Sequence, residues 1–208
     1  MQIDFFGANC LRLKSNGTTL VFDDNLASLG GQVIAGKDDI VCLTNDGLIA
    51  EPPAAKIVFS TPGSYEVSEI LIDAVRVDSF IGGDYPHATV YKVVCEDINL
   101  AVVGHIQPKL SDAQLEELGL VDVLFVPVGG NGYTLDAVGA LQLTKSIDPK
   151  LVIPTHYEQK GLKYEVPQQS CEEFIKLAAC ETSFVEGGLR LKRNDLSEQL
   201  SLKVFKNT

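Results

Sequence analysis

Two histidines each follow an apolar run that predicts a buried strand. His156 ends the stretch "LVIPTH" and His105 ends the stretch "LAVVGH". Imidazole serves both as a metal ligand and as an acid or base near neutral pH, and α/β sheets bind ligands at the carboxyl ends of their strands. The pair is therefore the first candidate site, with simple hydrogen bonding of each ring at its strand end as the alternative. His87, in "GGDYPH", is expected to be solvated.

Three carboxylates lie where predicted strands end. Asp23 and Asp24 close the run "LVFDD", and Asp46 follows the run "IVCLT" in "NDG". Together with His105 and His156, Asp46 could hold a single metal ion, with Asp23 or Asp24 supporting the ligands. The alternative is that these aspartates form turns or caps, because Asp is common at such positions.

A glycine-rich stretch, "VGGNGYTLDA", precedes a predicted helix. Backbone N–H groups at a helix start attract anions, so Gly129, Gly130, Tyr133 and Asp136 are candidate binding residues. The stretch lacks the lysine of a phosphate-binding loop and the G-x-G-x-x-G spacing. A sharp strand-to-helix turn is the preferred interpretation, with Thr134 or a neighbour as the helix cap.

Composition limits the partners. The 208 residues carry a net charge of −11, which disfavours nucleic acids and anionic membranes. No apolar run reaches the roughly 20 residues that span a bilayer, and no basic region precedes the first apolar residues. We therefore expect a cytoplasmic protein. The cysteines show no C-x-x-C motif and are expected to be reduced thiols: Cys10, Cys42, Cys95, Cys171 and Cys180.

The order of predicted elements indicates one α/β domain over residues 1–208. The first hundred residues alternate as strands do and include a hairpin at Asn16–Gly17. The second half alternates buried strands with helices in "SDAQLEELG", "TLDAVGALQLTKSIDP" and "PQQSCEEFIKLAAC". The first of these helices is predicted to be capped by Ser111. Two further strands are predicted around Asn194–Asp195. This alternation is typical of βαβ units.

Several of these segments resemble one protein family. "FFGANCLRLKSNGTTLVFDD", "TPGSYEVSEILIDAV", "QLEELGLVDVLFVPVGGNGYTLDA" and "PKLVIPTHY" are similar to the metallo-β-lactamase superfamily, in the branch of bacterial zinc-dependent hydrolase-like proteins related to ascorbate-6-phosphate lactonase. The resemblance covers nearly the whole chain. It implies a four-layer αββα sandwich with two mixed β-sheets and a metal site at the sheet edges. Since relatives commonly self-associate, a homo-oligomer is also expected.

The chain departs from the family at its metal ligands. The family motif T-H-x-H-x-D-H is "TNDGLIA" here, and the family's G-H-S-C is "GANC". Its bridging aspartate corresponds to His105, and a further family histidine would fall near Ile81, so only His156 matches a family ligand. The positions that would thereby be vestigial are Ala8, Asn45, Gly47, Ile49 and Ala50.

Two functions follow from this departure. Catalytic zinc needs about three protein ligands, so the leading hypothesis is a catalytically degenerate binding or assembly module that uses no cofactor. The alternative is a metal-dependent hydrolase with a rebuilt zinc site at His105 and His156. Metal-free acid–base chemistry by the histidine pair is a third possibility. The sequence does not identify the small-molecule ligand.

Overall fold

The computed structural model describes residues 1–48 and 54–206. The described helices are α1 (Asp112–Leu118), α2 (Ala137–Ile147) and α3 (Glu172–Ala178). The described strands are β1 (Gln2–Gly7), β2 (Cys10–Ser15), β3 (Thr18–Phe22), β4 (Ile40–Cys42), β5 (Ile57–Phe59), β6 (Gly63–Val67), β7 (Ile70–Gly82), β8 (Tyr85–Cys95), β9 (Ile98–Val102), β10 (Val123–Pro127), β11 (Leu151–Thr155), β12 (Glu181–Val185), β13 (Leu189–Arg190) and β14 (Ser201–Phe205).

The strands form two mixed sheets, as predicted. The smaller sheet has the order β13-β1-β2-β3-β4-β5, and the larger has the order β12-β14-β11-β10-β9-β8-β7-β6. The predicted hairpin joins β2 to β3, and both Asn16 and Gly17 adopt positive φ, of 48° and 77°. Such a pair of φ values matches the twist of a two-residue hairpin turn. The hairpin prediction is therefore confirmed.

Strands β10 and β11 lie parallel in the centre of the larger sheet and are buried along their whole length. Their continuous apolar sequences are explained by burial on both faces. Leu124 and Val126 face the helices, whereas Val123 and Phe125 face the smaller sheet. The core between the two sheets is thus separate from the core under the helices.

All three helices pack on the outer face of the larger sheet, through residues such as Leu118, Leu143 and Phe174. The outer face of the smaller sheet packs instead against a loop region that includes a 3-10 turn at Leu26–Leu29. The sandwich prediction holds for the two facing mixed sheets and the helical layer. On the outer face of the smaller sheet, the described residues form this loop layer and no α-helix.

Element boundaries refine two expectations. Ser111 caps α1 as predicted, but the cap of α2 is Asp136, whose carboxylate accepts a hydrogen bond from Gly139 N at 2.7 Å. Thr134 does not have that role, since it lies before the capping residue. The two C-terminal strands exist, but β13 and β14 belong to different sheets and do not pair with each other. They are separated by a 3-10 turn at Arg193–Asp195.

The functional edge of the sandwich is built by strand ends. Thr44 and Asn45 follow β4, His105 follows β9, and His156 directly follows β11. These strands are parallel within their sheets, so their carboxyl ends deliver these side chains to one edge.

The five cysteines are free thiols and all but Cys180 are buried. No described helix is long and apolar enough to cross a membrane.

Candidate functional site

The two strand-end histidines meet in the structure. The ring centroids of His105 and His156 are 4.8 Å apart, with the planes at 81°. Both side chains are buried, at 4% and 2% relative exposure. His156 adopts a left-handed φ of 49°, and its N–H donates to Ala8 O at 2.7 Å. Ala8 itself has φ 48°. Strained backbone of this kind costs of order 1–3 kcal/mol per residue and persists where the surroundings enforce it.

Hydrogen bonds fix the tautomer of both rings. His105 Nδ1 lies 3.0 Å from Tyr133 O, and a carbonyl can only accept, so Nδ1 carries the proton. His156 Nδ1 lies 3.1 Å from Gln168 Oε1. The amide of Gln168 is oriented because its Nε2 donates to Val166 O at 2.6 Å. In the neutral rings, Nε2 is therefore the unprotonated nitrogen on both histidines.

Burial sets the charge of the site. It lowers the pKa of His105 to about 4, although the bond to Tyr133 O opposes the shift. Burial, helped by the nearby His105, lowers the pKa of His156 to about 3. The pKa of the buried Asp23 carboxyl is raised to about 6, because burial outweighs the hydrogen bonds that Thr44 donates to it. At neutral pH both imidazoles are neutral and Asp23 is the main charge.

The histidines line a small cavity of about 10 Å³. A volume of this size holds about one water molecule. The cavity therefore has no room for a substrate in the described conformation. All of its lining residues except Leu48 carry polar side chains, and they are Asn9, Asp23, Asn25, Thr44, Asn45, Leu48, His105 and His156.

Most polar groups of the lining are already engaged. Asp23 Oδ1 accepts from Thr44 N at 2.7 Å, and Asp23 Oδ2 accepts from Thr44 Oγ1 at 2.5 Å. Asn45 donates from Nδ2 to Ser79 Oγ at 3.3 Å, and its Oδ1 accepts from Gly47 N at 3.2 Å. Asn9 Oδ1 accepts from Thr155 Oγ1 at 3.0 Å. This network stabilises the folded strand ends.

The remaining predicted positions lie elsewhere. Asp46 is exposed and lines a neighbouring pocket together with His87, so it does not join the two histidines. Asp24 Oδ2 accepts from Ile34 N and Ala35 N, both at 2.7 Å, so it holds the loop that follows β3 rather than forming a local turn or a cap. Ile81 is half-buried, and its N–H donates to a serine hydroxyl. Ile49 and Ala50 fall outside the described residues.

The glycine-rich loop supports the histidines. A Cβ on Gly129 would overlap His156 O and Gln168 Oε1, so glycine is required for this close approach. Gly130 has a left-handed φ of 66°, which suits the sharp turn. Tyr133 places its carbonyl on His105 and its ring 4.9 Å away from that imidazole. These contacts agree with the prediction that the glycine-rich stretch forms a sharp strand-to-helix turn.

Two contacting residues escaped the sequence analysis. Gln168 lies 12 residues beyond His156 in a stretch without a motif, and only the fold brings its amide to the ring. Tyr164 lies 5.4 Å from the His156 ring, and its hydroxyl accepts from Ala8 N at 3.0 Å and donates to Tyr157 O at 3.1 Å. In the sequence, only Tyr157 and Tyr164 could have indicated these contacts.

The donor set of the cavity does not suit zinc. Within residues 1–48 and 54–206, no three His, Cys, Asp or Glu side chains are grouped so that they could hold a metal ion. The cavity offers two imidazoles, one carboxylate that Thr44 already binds, and three amides. The amides of Asn9 and Asn45 are engaged, whereas the buried Oδ1 of Asn25 accepts no hydrogen bond from the described residues. Zinc sites use three or four Cys, His or carboxylate ligands. These residues therefore do not fit a dinuclear zinc site.

Comparison with known proteins decides the family. Residues 2–156 match the profile of the Beta-lactamase superfamily domain. This chain belongs to the metallo-β-lactamase superfamily. A solved metallo-β-lactamase-superfamily protein from Thermotoga maritima, assigned as a zinc-dependent hydrolase, shares 26% identity. It superposes with a TM-score of 0.78 and a coverage of 99% of both chains.

Two other proteins resemble this chain over different shares of its length. A UPF0173 metal-dependent hydrolase from Carboxydothermus hydrogenoformans is 46% identical over 43 residues, which are 21% of this chain and 19% of that protein. A metallo hydrolase from the archaeon Ignicoccus hospitalis shares 17% identity and a TM-score of 0.59, over 85% of this chain and 89% of its own. The latter similarity shows the fold alone. Membership of the superfamily thus rests on the match over residues 2–156, in a chain whose described residues offer few metal ligands.

Proposed function

We propose that this chain is a catalytically degenerate metallo-β-lactamase-fold protein that serves as a binding or assembly module. It would be a single cytoplasmic domain from the branch related to ascorbate-6-phosphate lactonase, with the dinuclear zinc ligands lost. The net charge of −11 argues against nucleic acid as its partner.

The observation that carries the proposal is the state of the former metal edge. Two neutral histidines face a cavity of about 10 Å³, and Thr44 engages the one carboxylate that lines it. Asn45 hydrogen-bonds Ser79 where a histidine ligand would reach inward. These internal hydrogen bonds stabilise the folded protein, and a metal ion bound in the cavity would break several of them.

The direct test measures metal content and hydrolysis on one preparation. Protein purified without added metal is analysed for zinc, manganese and iron, and then assayed against lactone, phosphodiester and thioester substrates with and without added zinc. A variant that restores family ligands, with A8H, N45H, G47H and H105D, is the positive comparison. We expect the unmodified protein to contain far less than one metal per chain and to show no metal-stimulated hydrolysis. About one tightly bound zinc per chain with turnover would refute the proposal.

A second candidate is a hydrolase with one metal at the histidine pair. It is favoured by the tautomers, since Nδ1–H of each ring is bound to an internal oxygen and Nε2 is left unprotonated. Metal-bound histidines show the same pattern, in which the outer nitrogen donates to an acceptor. The candidate predicts one zinc per chain that is lost in both H105N and H156Q. If either variant retains the wild-type zinc affinity, this candidate fails.

A homo-oligomer is a further part of the proposal. It comes from the resemblance to self-associating relatives, and an assembly module would need such a surface. Light scattering on the purified chain over a range of concentrations would test it. If the protein is a monomer at every concentration, the self-assembly role is refuted and the binding role is unaffected.

A further inference from the structure

The larger sheet extends past the smaller one beside the histidine cavity. On β7, Ile72 and Ala74 are buried between the sheets, whereas Arg76 and Asp78 continue the same face and are exposed. Side chains two residues apart lie on one face of a strand. The change from apolar to polar therefore marks the point at which the smaller sheet no longer covers this face.

Strand β8 continues this face, with Thr89 buried and His87 exposed. Thr89 pairs with Arg76, and His87 pairs with Asp78, in the antiparallel register. Thr89 N also donates to Thr44 O at 2.7 Å, which joins this surface to the smaller sheet. Side chains directly opposite each other in a sheet lie within contact range. The described residues therefore place an arginine, a hydroxyl and a histidine side by side, with the carboxylate of Asp78 4.0 Å from His87 Nδ1.

These residues form one side of an open pocket of about 240 Å³. The pocket is adjacent to the histidine cavity, and the two share Thr44 and Asn45 in their linings. Unlike the cavity, it has room for a small metabolite. Its lining consists of Thr44, Asn45, Asp46, Ser60, Thr61, Pro62, Arg76, His87, Ala88 and Thr89.

Arg76 is the distinctive member of this lining. The guanidinium of Arg12 pairs with Asp4 at 2.9 Å, and that of Arg193 pairs with Asp122 at 2.5 Å. No carboxylate or other acceptor among the described residues binds the guanidinium of Arg76. The chain has 28 acidic and only 17 basic residues, so an unpaired arginine in a concave pocket is a site with unused anion-binding capacity.

We propose that this pocket binds a small metabolite through one oxyanion group, a phosphate or a carboxylate, with Arg76 as the principal ligand. The planar guanidinium can donate two parallel hydrogen bonds to either group. The hydroxyls of Ser60 and Thr89 add donors from neighbouring segments of the lining. Asp46 lines the same pocket and opposes a second negative charge, so a ligand with a single oxyanion and a hydroxyl or amino donor fits best.

This inference rests on the proposed role as a binding module and gives it a ligand class. The probes are inorganic phosphate and acetate, each titrated at constant ionic strength while the Nε–H resonance of Arg76 and the backbone amides are followed by NMR. Phosphate binding without acetate binding identifies a phosphate ligand, and the reverse identifies a carboxylate. Variant R76Q removes the charge, R76K keeps it without the planar fork, and R190Q is the matched control. Arg190 is exposed at the opposite edge of the smaller sheet.

We expect saturable binding of at least one probe, weakened about ten-fold or more in R76Q, less in R76K, and unchanged in R190Q. No saturable binding, or equal binding by R76Q, overturns the inference. Zinc content and hydrolysis are measured on the same samples. A metal-loaded, active protein that still binds anions through Arg76 would refute the proposed function and leave this inference standing.

Discussion

The imidazole of His105 meets that of His156 edge to face, with 4.8 Å between the ring centroids. Each ring donates its Nδ1 proton to an internal oxygen, Tyr133 O or Gln168 Oε1. The pair is therefore held as two neutral bases side by side, in a place from which water is nearly excluded. Adding a proton to either ring would bury a charge without a partner, which is costly.

The first prediction concerns stability at acidic pH. The folded pKa values of about 4 for His105 and about 3 for His156 lie below the ordinary value of 6.5. At pH values between the folded and the ordinary pKa, the unfolded chain binds more protons than the folded chain. The free energy of unfolding therefore falls as pH falls through this range. At pH 5 the loss is roughly 2 kcal/mol for each histidine. Asp23 acts in the opposite direction, because its folded pKa of about 6 lies above the ordinary 3.8.

The variant H105N checks this assignment, since the asparagine amide can replace the donor to Tyr133 O but does not titrate. Urea unfolding between pH 4 and pH 7 should give a smaller pH slope for the variant, by about one proton. Imidazole NMR resonances should show both buried rings neutral at pH 5. Parallel slopes in the two proteins would contradict the prediction.

The second prediction concerns metal removal. If the histidine edge holds no structural zinc, incubation with a chelator leaves the melting temperature unchanged, because only a ligand of the folded state stabilises by mass action. Differential scanning calorimetry with and without the chelator is the measurement. A clear fall in melting temperature that added zinc reverses would show a bound metal.

The third prediction concerns the packing of Gly129 against His156 O and Gln168. G129A should lower the free energy of unfolding by about 1–3 kcal/mol, because an added methyl group overlaps fixed atoms. G36A is the control, since a Cβ there would meet only Asp39 Oδ2, at an ordinary 3.5 Å. Equal urea midpoints for the two variants would show that the loop yields easily and does not position the histidine.

The fourth prediction concerns His156 itself. H156A should cost about 2–4 kcal/mol, because it leaves a cavity and an unpaired Gln168 Oε1. The side chain also packs near the rings of Tyr133 and Tyr164. H156Q, which fills more of the volume, should lose less. An alanine variant as stable as wild type would mean that the ring has no structural role.

Sequence patterns predicted the scaffold more fully than the site. The hairpin at Asn16–Gly17 and the helix cap at Ser111 depend on neighbouring residues, so local chemistry was sufficient. The buried runs of β10 and β11 likewise required only their composition. The bond from Gln168 to His156 depends on how a loop folds back over the sheet, and no spacing rule encodes that. Asp46 shows the converse: its place in the sequence suggested a ligand, but its exposed side chain faces the neighbouring pocket.

The last prediction concerns the hydrogen bond between Thr44 Oγ1 and Asp23 Oδ2, at 2.5 Å. T44V removes this donor, so the ionised carboxylate loses a buried partner and the pKa of Asp23 rises further above its ordinary value. The free energy of unfolding should fall by about 2 kcal/mol at pH 7, the cost of leaving a buried charged acceptor poorly satisfied. As pH falls through about 6, Asp23 becomes protonated in the folded state and the difference from wild type should shrink. T44S keeps the hydroxyl and is the matched control. A T44V penalty that is constant from pH 5 to pH 8, measured by urea unfolding, would show that the loss comes from packing and not from the charge of Asp23.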